Sequence, residues 1–184
     1  MENNETRWWG NCCNTYGEET KQMVYAKRMG LRFQDDHLNV HGKKILDIGG
    51  GPVSLLLKTR GLGKGKIIDP SGYPAWTYER YKCFGIDVEV GKAEGLADID
   101  DWDEIWIYNV LQHVDDPELI IKNARRAGKL IRIFEWIDIP AHEGHPHELK
   151  QDLLEEWLGG IKGTVEDINE SGCTGRCFYG VFRS

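Results

Sequence analysis

The chain is expected to fold as an α/β protein around a mostly parallel sheet covered by helices on both faces. Three observations predict this. From Lys44 onward, short apolar runs that end in an acidic or polar residue alternate with segments of helical character. The first of these runs leads at once into a glycine-rich turn, Gly49-Gly50-Gly51-Pro52. The chain then closes on two strand-like segments around Ser171-Gly172, which predicts an antiparallel edge.

Taken in order, residues 1–43 form an N-terminal helical cap and residues 44–184 form the main domain. In the cap, Asn14 or Thr15 can start a helix from about Tyr16 to Met29. Glu18 and Glu19 suit its first turn, and Gly30 stops it. The aromatics Trp8, Trp9 and Tyr16 leave two readings open: packing at the edge of the core, or a lid over a ligand. Strand one is Ile45–Ile48. A helix is expected over Val53–Arg60, stopped by Gly61, with the free N–H groups of its first turn aimed at a ligand. Strand two is Lys66–Asp69, and Pro74–Tyr81 reads as a short helix with Pro74 near its first position. Strand three is Ile86–Val90 and strand four is Glu104–Asn109. Asp116-Pro117-Glu118 is a helix start, and that helix runs to Ala127 before Gly128. Strand five is Lys129–Trp136. A loop with His142, His145 and His147 precedes a helix over Glu148–Leu158, which places Leu149, Leu153, Leu154, Trp157 and Leu158 on one face. The end is a hairpin, Lys162–Ile168 and Arg176–Arg183.

Length and composition exclude several classes of function. A chain of 184 residues is expected to hold one core. Its formal charge of −7 opposes a general affinity for nucleic-acid phosphates. No apolar run approaches the roughly 18–20 residues of a membrane span. The segment Met1-Glu2-Asn3-Asn4-Glu5 lacks the character of a signal peptide. Five cysteines without a regular framework fit a reducing compartment, so a cytoplasmic setting is expected. Neither Cys12-Cys13 nor Cys173/Cys177 matches a zinc pattern, and no metal is expected.

In an open parallel sheet, ligands bind beyond the carboxyl ends of the strands. Strand one ends in Asp47 and leads to Gly49, Gly50 and Gly51. Strand two ends in Asp69-Pro70-Ser71, and an acid there can accept hydrogen bonds from a ribose diol. Strand three leads to Gly91-Lys92-Ala93-Glu94, and strand four to Asn109 through Pro117. The loop departs from G-x-G-x-x-G because Ser54 stands at the third glycine, which weighs against a nicotinamide dinucleotide. Asp47 suits a cofactor with a cationic ammonium group, contacted directly or through water.

These segments together resemble class I S-adenosylmethionine-dependent methyltransferases. Ile45-Leu46-Asp47-Ile48-Gly49-Gly50-Gly51 resembles the family's first motif and Ile67-Ile68-Asp69 its second. Val90-Gly91-Lys92-Ala93-Glu94 resembles the adenine-contacting segment. Asn109-Val110-Leu111-Gln112-His113-Val114-Asp115-Asp116-Pro117 resembles the stretch after strand four in the small-molecule, ubiquinone-biosynthesis-like branch. The resemblance implies a Rossmann-like, doubly wound, seven-stranded sheet of order 3-2-1-4-5-7-6 with strand seven antiparallel. It implies S-adenosylmethionine as donor and S-adenosylhomocysteine as product. Gly49 and Gly51 would line the methionine part, Asp69 would hold the ribose and Lys92-Ala93 would lie beside the adenine. Asn109 would close the site near the sulfonium. Two positions depart from the family pattern: Val53 replaces a frequent glycine, and Lys92 replaces a frequent aspartate whose role Glu94 can take.

The acceptor is expected to be a small molecule or another exposed group. The chemistry needs alignment and exclusion of water, with a base only if the acceptor keeps its proton. His113 is the candidate base. Its other reading is a histidine satisfied by a backbone hydrogen bond. Trp9, Tyr16, His145 and His147 are candidate substrate contacts. The histidine loop lacks an H-E-x-x-H helix, and Pro146 works against one, so metal, substrate and structural readings stay open there. A nucleic-acid or protein methyltransferase is an alternative, although Asn109-Val110-Leu111-Gln112 stands in place of the Pro-Pro quartet of amino-group enzymes. A non-catalytic cofactor-binding scaffold is a further alternative.

Overall fold

The computed structural model describes residues 12–96 and 101–184, with side chains from Thr15 onward. The N-terminal tryptophans, Trp9 among the site candidates, lie outside the described residues. Ten strands are described: β1 (Phe33–Gln34), β2 (His37–Asn39), β3 (Lys44–Ile48), β4 (Thr59–Arg60), β5 (Lys64–Asp69), β6 (Ile86–Val90), β7 (Glu104–Tyr108), β8 (Leu130–Trp136), β9 (Thr164–Glu170) and β10 (Cys173–Arg183). Four α-helices accompany them: α1 (Cys12–Arg28), α2 (Ala75–Cys83), α3 (Pro117–Ala127) and α4 (Gln151–Trp157). Seven strands form one sheet in the order β6-β5-β3-β7-β8-β10-β9. β3, β5, β6, β7 and β8 run parallel, while β10 is antiparallel to both β8 and β9. This is the expected order, and the closing hairpin supplies its antiparallel edge.

Alternation along the central strands explains why both faces are covered. Leu46 and Ile48 of β3 face the same side as Ile105 and Ile107 of β7, where Ile120, Ile121 and Ala124 of α3 and Leu154 of α4 complete one core. Ile45 of β3 shares the other side with Trp106 and Tyr108 of β7, under Tyr25 and Met29 at the end of α1 and Tyr81 of α2. A one-residue slip of β3 would exchange these two sets, so burial on both faces pins the register. At the end away from the candidate ligand loops, buried Glu104 accepts from Arg132 Nε at 2.6 Å, Lys43 Nζ at 2.6 Å and Trp106 Nε1 at 2.9 Å. Burial alone would raise its carboxyl, but these donors overcome that and hold it down to about 2.

α3 starts and stops where the residues direct it. Asp116 Oδ1 accepts from Leu119 N at 2.9 Å, Pro117 fills the first position, and Gly128 follows its last residue. Other segments differ from expectation. After the glycine turn there is no α-helix. Two 3₁₀ turns, Gly51–Val53 and Leu55–Lys58, are separated by an extended Ser54 (φ −50, ψ 145). The amides of Ser54 and Leu55, which an N-terminal helical turn would have presented to a ligand, donate instead to the hydroxyls of Tyr81 (2.9 Å) and Tyr108 (3.0 Å). The chain then leaves as β4, which pairs in parallel with β2. That pairing joins β1, β2 and β4 into a three-stranded sheet that their short, polar sequences do not announce. α4 is shorter than Glu148–Leu158 because Lys150 stays extended (φ −130, ψ 153) and the Leu149 carbonyl accepts from Asp138 N at 2.9 Å. β5 starts two residues early and α2 ends two residues late, at Cys83.

Candidate active site

A cavity of about 670 Å³ opens at the carboxyl ends of β3, β5, β6 and β7, within the range of roughly 300–1,000 Å³ usual for small-molecule sites. One side is built by the loops after these strands. The opposite side is built by Glu18, Lys21 and Tyr25 of α1, by Trp136 at the end of β8, and by Cys173 and Thr174 at the start of β10.

The glycine turn is held from behind by two buried phenols. Tyr81 Oη donates to the Gly51 carbonyl at 2.6 Å, and Tyr108 Oη donates to Asp47 Oδ2 at 2.6 Å. Ser54 Oγ also donates to Asp47 Oδ2, at 2.5 Å. Asp47 is fully buried, and its Oδ1 meets no donor in the described residues. Burial pushes its carboxyl up to about 7 against these hydrogen bonds, with Asp69 adding to the rise. Gly49 and Gly51 form part of the cavity wall with left-handed φ of 69 and 58, whereas Asp47 and Gly50 lie behind it. At Gly49 a Cβ would stand 2.6 Å from the Val110 side chain, so the close approach of β3 to the loop after β7 requires glycine.

Asp69 is buried and lies in the wall. Its Oδ2 accepts from Gly51 N at 3.1 Å, while its Oδ1 accepts from Ser71 N at 2.9 Å and Tyr73 Oη at 3.2 Å. The carboxylate therefore ties the loop after β5 to the glycine turn. Pro70, Lys92, Ala93 and Glu94 line the wall beside it. Lys92 forms an ion pair with Asp115, which raises its pKa through hydrogen bond and charge together. Glu94 Oε1 accepts from the amides of Asp115 at 2.9 Å and Asp116 at 3.1 Å, so this acid joins the loop after β6 to the start of α3.

The loop after β7 supplies the third wall. Asn109 adopts a left-handed φ of 56, and its Oδ1 accepts from Gln112 Nε2 at 3.0 Å. His113 Nδ1 lies 2.8 Å from the Gly144 carbonyl. A carbonyl can only accept, so Nδ1 carries the proton and Nε2 keeps a lone pair, 3.4 Å from Gln112 Nε2. The His113 ring meets His145 edge-on at 4.5 Å, and His145 meets His142 at 4.3 Å. Burial, followed by the positive charge that His113 and His142 can carry, holds His145 down to about 4, so this half-buried imidazole is neutral at pH 7.

The cavity thus brings together Gly49, Gly51, Asp69, Pro70, Lys92, Ala93, Glu94, Asn109, His113 and His145. It does not gather all the sequence candidates. Tyr16 is 74% exposed and forms no part of the wall. His147 donates from Nε2 to the Val114 carbonyl at 2.8 Å and acts as a strut for the loop. Sequence reasoning missed Tyr81 and Tyr108, whose hydroxyls shape the turn, and Glu135, whose carboxyl group accepts from Val110 N and Leu111 N. An acid inside the apolar run of strand five was the one available signal. Among the described residues, no group of three or more histidine, cysteine or acidic side chains is placed to hold a metal ion, and no helix is long and apolar enough to cross a membrane.

No protein-family model matches the chain, and no curated protein matches it. Solved structures do. The N-methyltransferase NodS from Bradyrhizobium japonicum WM9, in complex with S-adenosylhomocysteine, is 13% identical over 98% of each chain, with a TM-score of 0.68. Magnesium protoporphyrin IX methyltransferase (ChlM) from Synechocystis PCC 6803, with bound S-adenosylhomocysteine, is 12% identical over 95% of this chain and 88% of its own, with a TM-score of 0.61. The cyclase SpnF is 18% identical over 82% of this chain and 60% of its own, with a TM-score of 0.57. A cyclase among these structures is a reminder that reactions belong to sites and not to folds. The chain has the Rossmann-like, seven-stranded fold of the S-adenosylmethionine-dependent methyltransferases.

Proposed function

We propose that this protein is an S-adenosylmethionine-dependent methyltransferase acting on a small-molecule acceptor. The observation that carries the reading is the buried Asp69 carboxylate in the cavity wall, hydrogen-bonded to the amide of Gly51 in the glycine turn. The charges of the wall suit the donor. Glu18, Asp69, Glu94 and Asp115 outnumber Lys21 and Lys92, which favours a cationic sulfonium ligand over the pyrophosphate of a dinucleotide.

When bound, the donor supplies an activated methyl group for in-line displacement. The chain's own residues would do the rest. Asp69 would hold the ribose hydroxyls, and Ala93 and Glu94 would lie beside the adenine. Asn109 would close the wall near the sulfonium. For an acceptor that keeps its proton, His113 Nε2 would take that proton as the methyl group is transferred. The Gly144 carbonyl opposite Nδ1 would stabilise the imidazolium that results. The aromatic side of the cavity, Tyr25 and Trp136, is open to a small acceptor. The free thiols of Cys83, Cys173 and Cys177 agree with a reducing, cytoplasmic setting.

The test is calorimetric titration of the wild type and Asp69→Asn with S-adenosylmethionine and S-adenosylhomocysteine. Micromolar binding that weakens about tenfold in the variant, or about 1.4 kcal/mol, is expected. Release of S-adenosylhomocysteine with one of a panel of acceptors then establishes turnover. Absence of binding by folded wild type overturns the reading.

A further inference from the structure

Glu135 is fully buried near the end of β8, and it has no cationic partner among the described residues. Its Oε1 accepts from Val110 N at 3.0 Å and from Leu111 N at 3.1 Å, and its Oε2 accepts from Val110 N at 3.2 Å. The amide of Asn109 donates to the carbonyl of Phe134, the residue before Glu135, at 2.8 Å. The end of β8 therefore holds three successive amides of the loop after β7. This grip falls where the chain changes from strand to the left-handed turn at Asn109.

What the loop carries gives the grip its meaning. Asn109, Gln112 and His113 all line the cavity. They are linked to one another from Asn109 Oδ1 through Gln112 Nε2 to His113 Nε2. Moving the backbone at Val110 and Leu111 would move both ends of that chain. Oε1 alone accepts from both amides, so the grip needs an acceptor oxygen at this point and not a charge. Glu135→Gln keeps such an oxygen, whereas Glu135→Leu leaves both amides without their acceptor.

Resting on the methyltransferase reading, we propose that Glu135 is the positioning residue of this site. Its carboxyl group clamps the backbone of Val110 and Leu111 so that Asn109 and His113 face the reacting centre. It touches neither ligand, and it acts through the loop.

The experiment compares wild type with Glu135→Leu, and with Glu135→Gln as the conservative variant, by amide NMR and by calorimetry with S-adenosylmethionine. In the wild type, the Val110 and Leu111 amides should be shifted downfield and protected from exchange. In Glu135→Leu, the β7 amides Ile105–Tyr108 should keep their shifts while residues 109–113 move, and affinity should fall by about tenfold or more, whereas Glu135→Gln should stay close to wild type in both. A merely structural role would lower the melting temperature without singling out this loop or the affinity. Folded Glu135→Leu with wild-type shifts over 109–113 and wild-type affinity overturns the proposal. If that variant does not fold, unshifted and rapidly exchanging Val110 and Leu111 amides in the wild type overturn it. If folded wild type binds no S-adenosylmethionine, the methyltransferase reading falls. The clamp itself is then decided by the amide shifts alone.

Discussion

Raising the pH from about 6 to about 8.5 should destabilise this protein, and two buried carboxyls set the size of the effect. Asp47 is fully buried, and its carboxyl is pushed up to about 7 by burial, against the hydrogen bonds from Ser54 and Tyr108. Glu135 is pushed up to about 8 by burial, against the amides of Val110 and Leu111. In the unfolded chain both ionise near their ordinary value of about 4. Between that value and 7 or 8, the folded state binds more protons than the unfolded state, so stability falls as pH rises. Above pH 6, Asp47 has about one pH unit of this fall left and Glu135 about two. At about 1.4 kcal/mol for each, the loss is about 4 kcal/mol, or on the order of 10 °C in melting temperature for a domain of this size. One group works the other way. His145 is held down to about 4, so its contribution grows as pH rises through its ordinary value of about 6.5 and offsets a minor part of the fall just above pH 6. Glu104 is held down to about 2, and its contribution is lost only in acid, below its ordinary value. The assay is thermal denaturation followed by circular dichroism from pH 6 to 8.5. Asp47→Asn and Glu135→Gln should each remove their own share of the slope. A wild-type melting temperature that is flat or rising over this range refutes the reasoning, as does a full slope in the double variant.

Three further outcomes follow from the same geometry. Tyr108→Phe removes the donor to Asp47 and the acceptor of the Leu55 amide. It should destabilise the fold by about 2–4 kcal/mol in urea unfolding, and a loss below about 0.5 kcal/mol would count against the role given to this phenol. Gly49→Ala places a Cβ against Val110 at a left-handed φ, costing about 1–3 kcal/mol and weakening cofactor binding. Gly72→Ala, which meets open space, should change neither quantity in parallel melts and titrations. Arg132→Met leaves buried Glu104 without its guanidinium and should cost about 3–5 kcal/mol. It should also flatten the acid side of the stability profile, because Glu104 stabilises the fold above its unfolded pKa and loses that contribution as pH falls toward about 2.

The amino-acid sequence by itself determined the order of strands and helices, because apolar period and turn residues are local properties. Buried runs such as Ile105-Trp106-Ile107 could only be central strands, and Asp116-Pro117 with Gly128 bounded α3 within a residue. The loops that wall the cavity were equally legible, since a parallel sheet places them all at one end. What remained hidden depends on partners distant in the chain. Tyr81 and Tyr108 take the amides of Ser54 and Leu55 from 27 and 53 residues away, and this turns the expected helix after the glycine turn into two 3₁₀ turns. Asp47 reads as a ligand contact until the fold buries it behind the wall, and Tyr16 reads as a lid until the fold leaves it in solvent. Glu135 looks like one more polar residue in a strand. Only the pairing of β7 with β8 brings its carboxyl group under Val110 and Leu111. Local sequence specifies where the chain turns, whereas the burial and charge state of a side chain depend on everything packed around it.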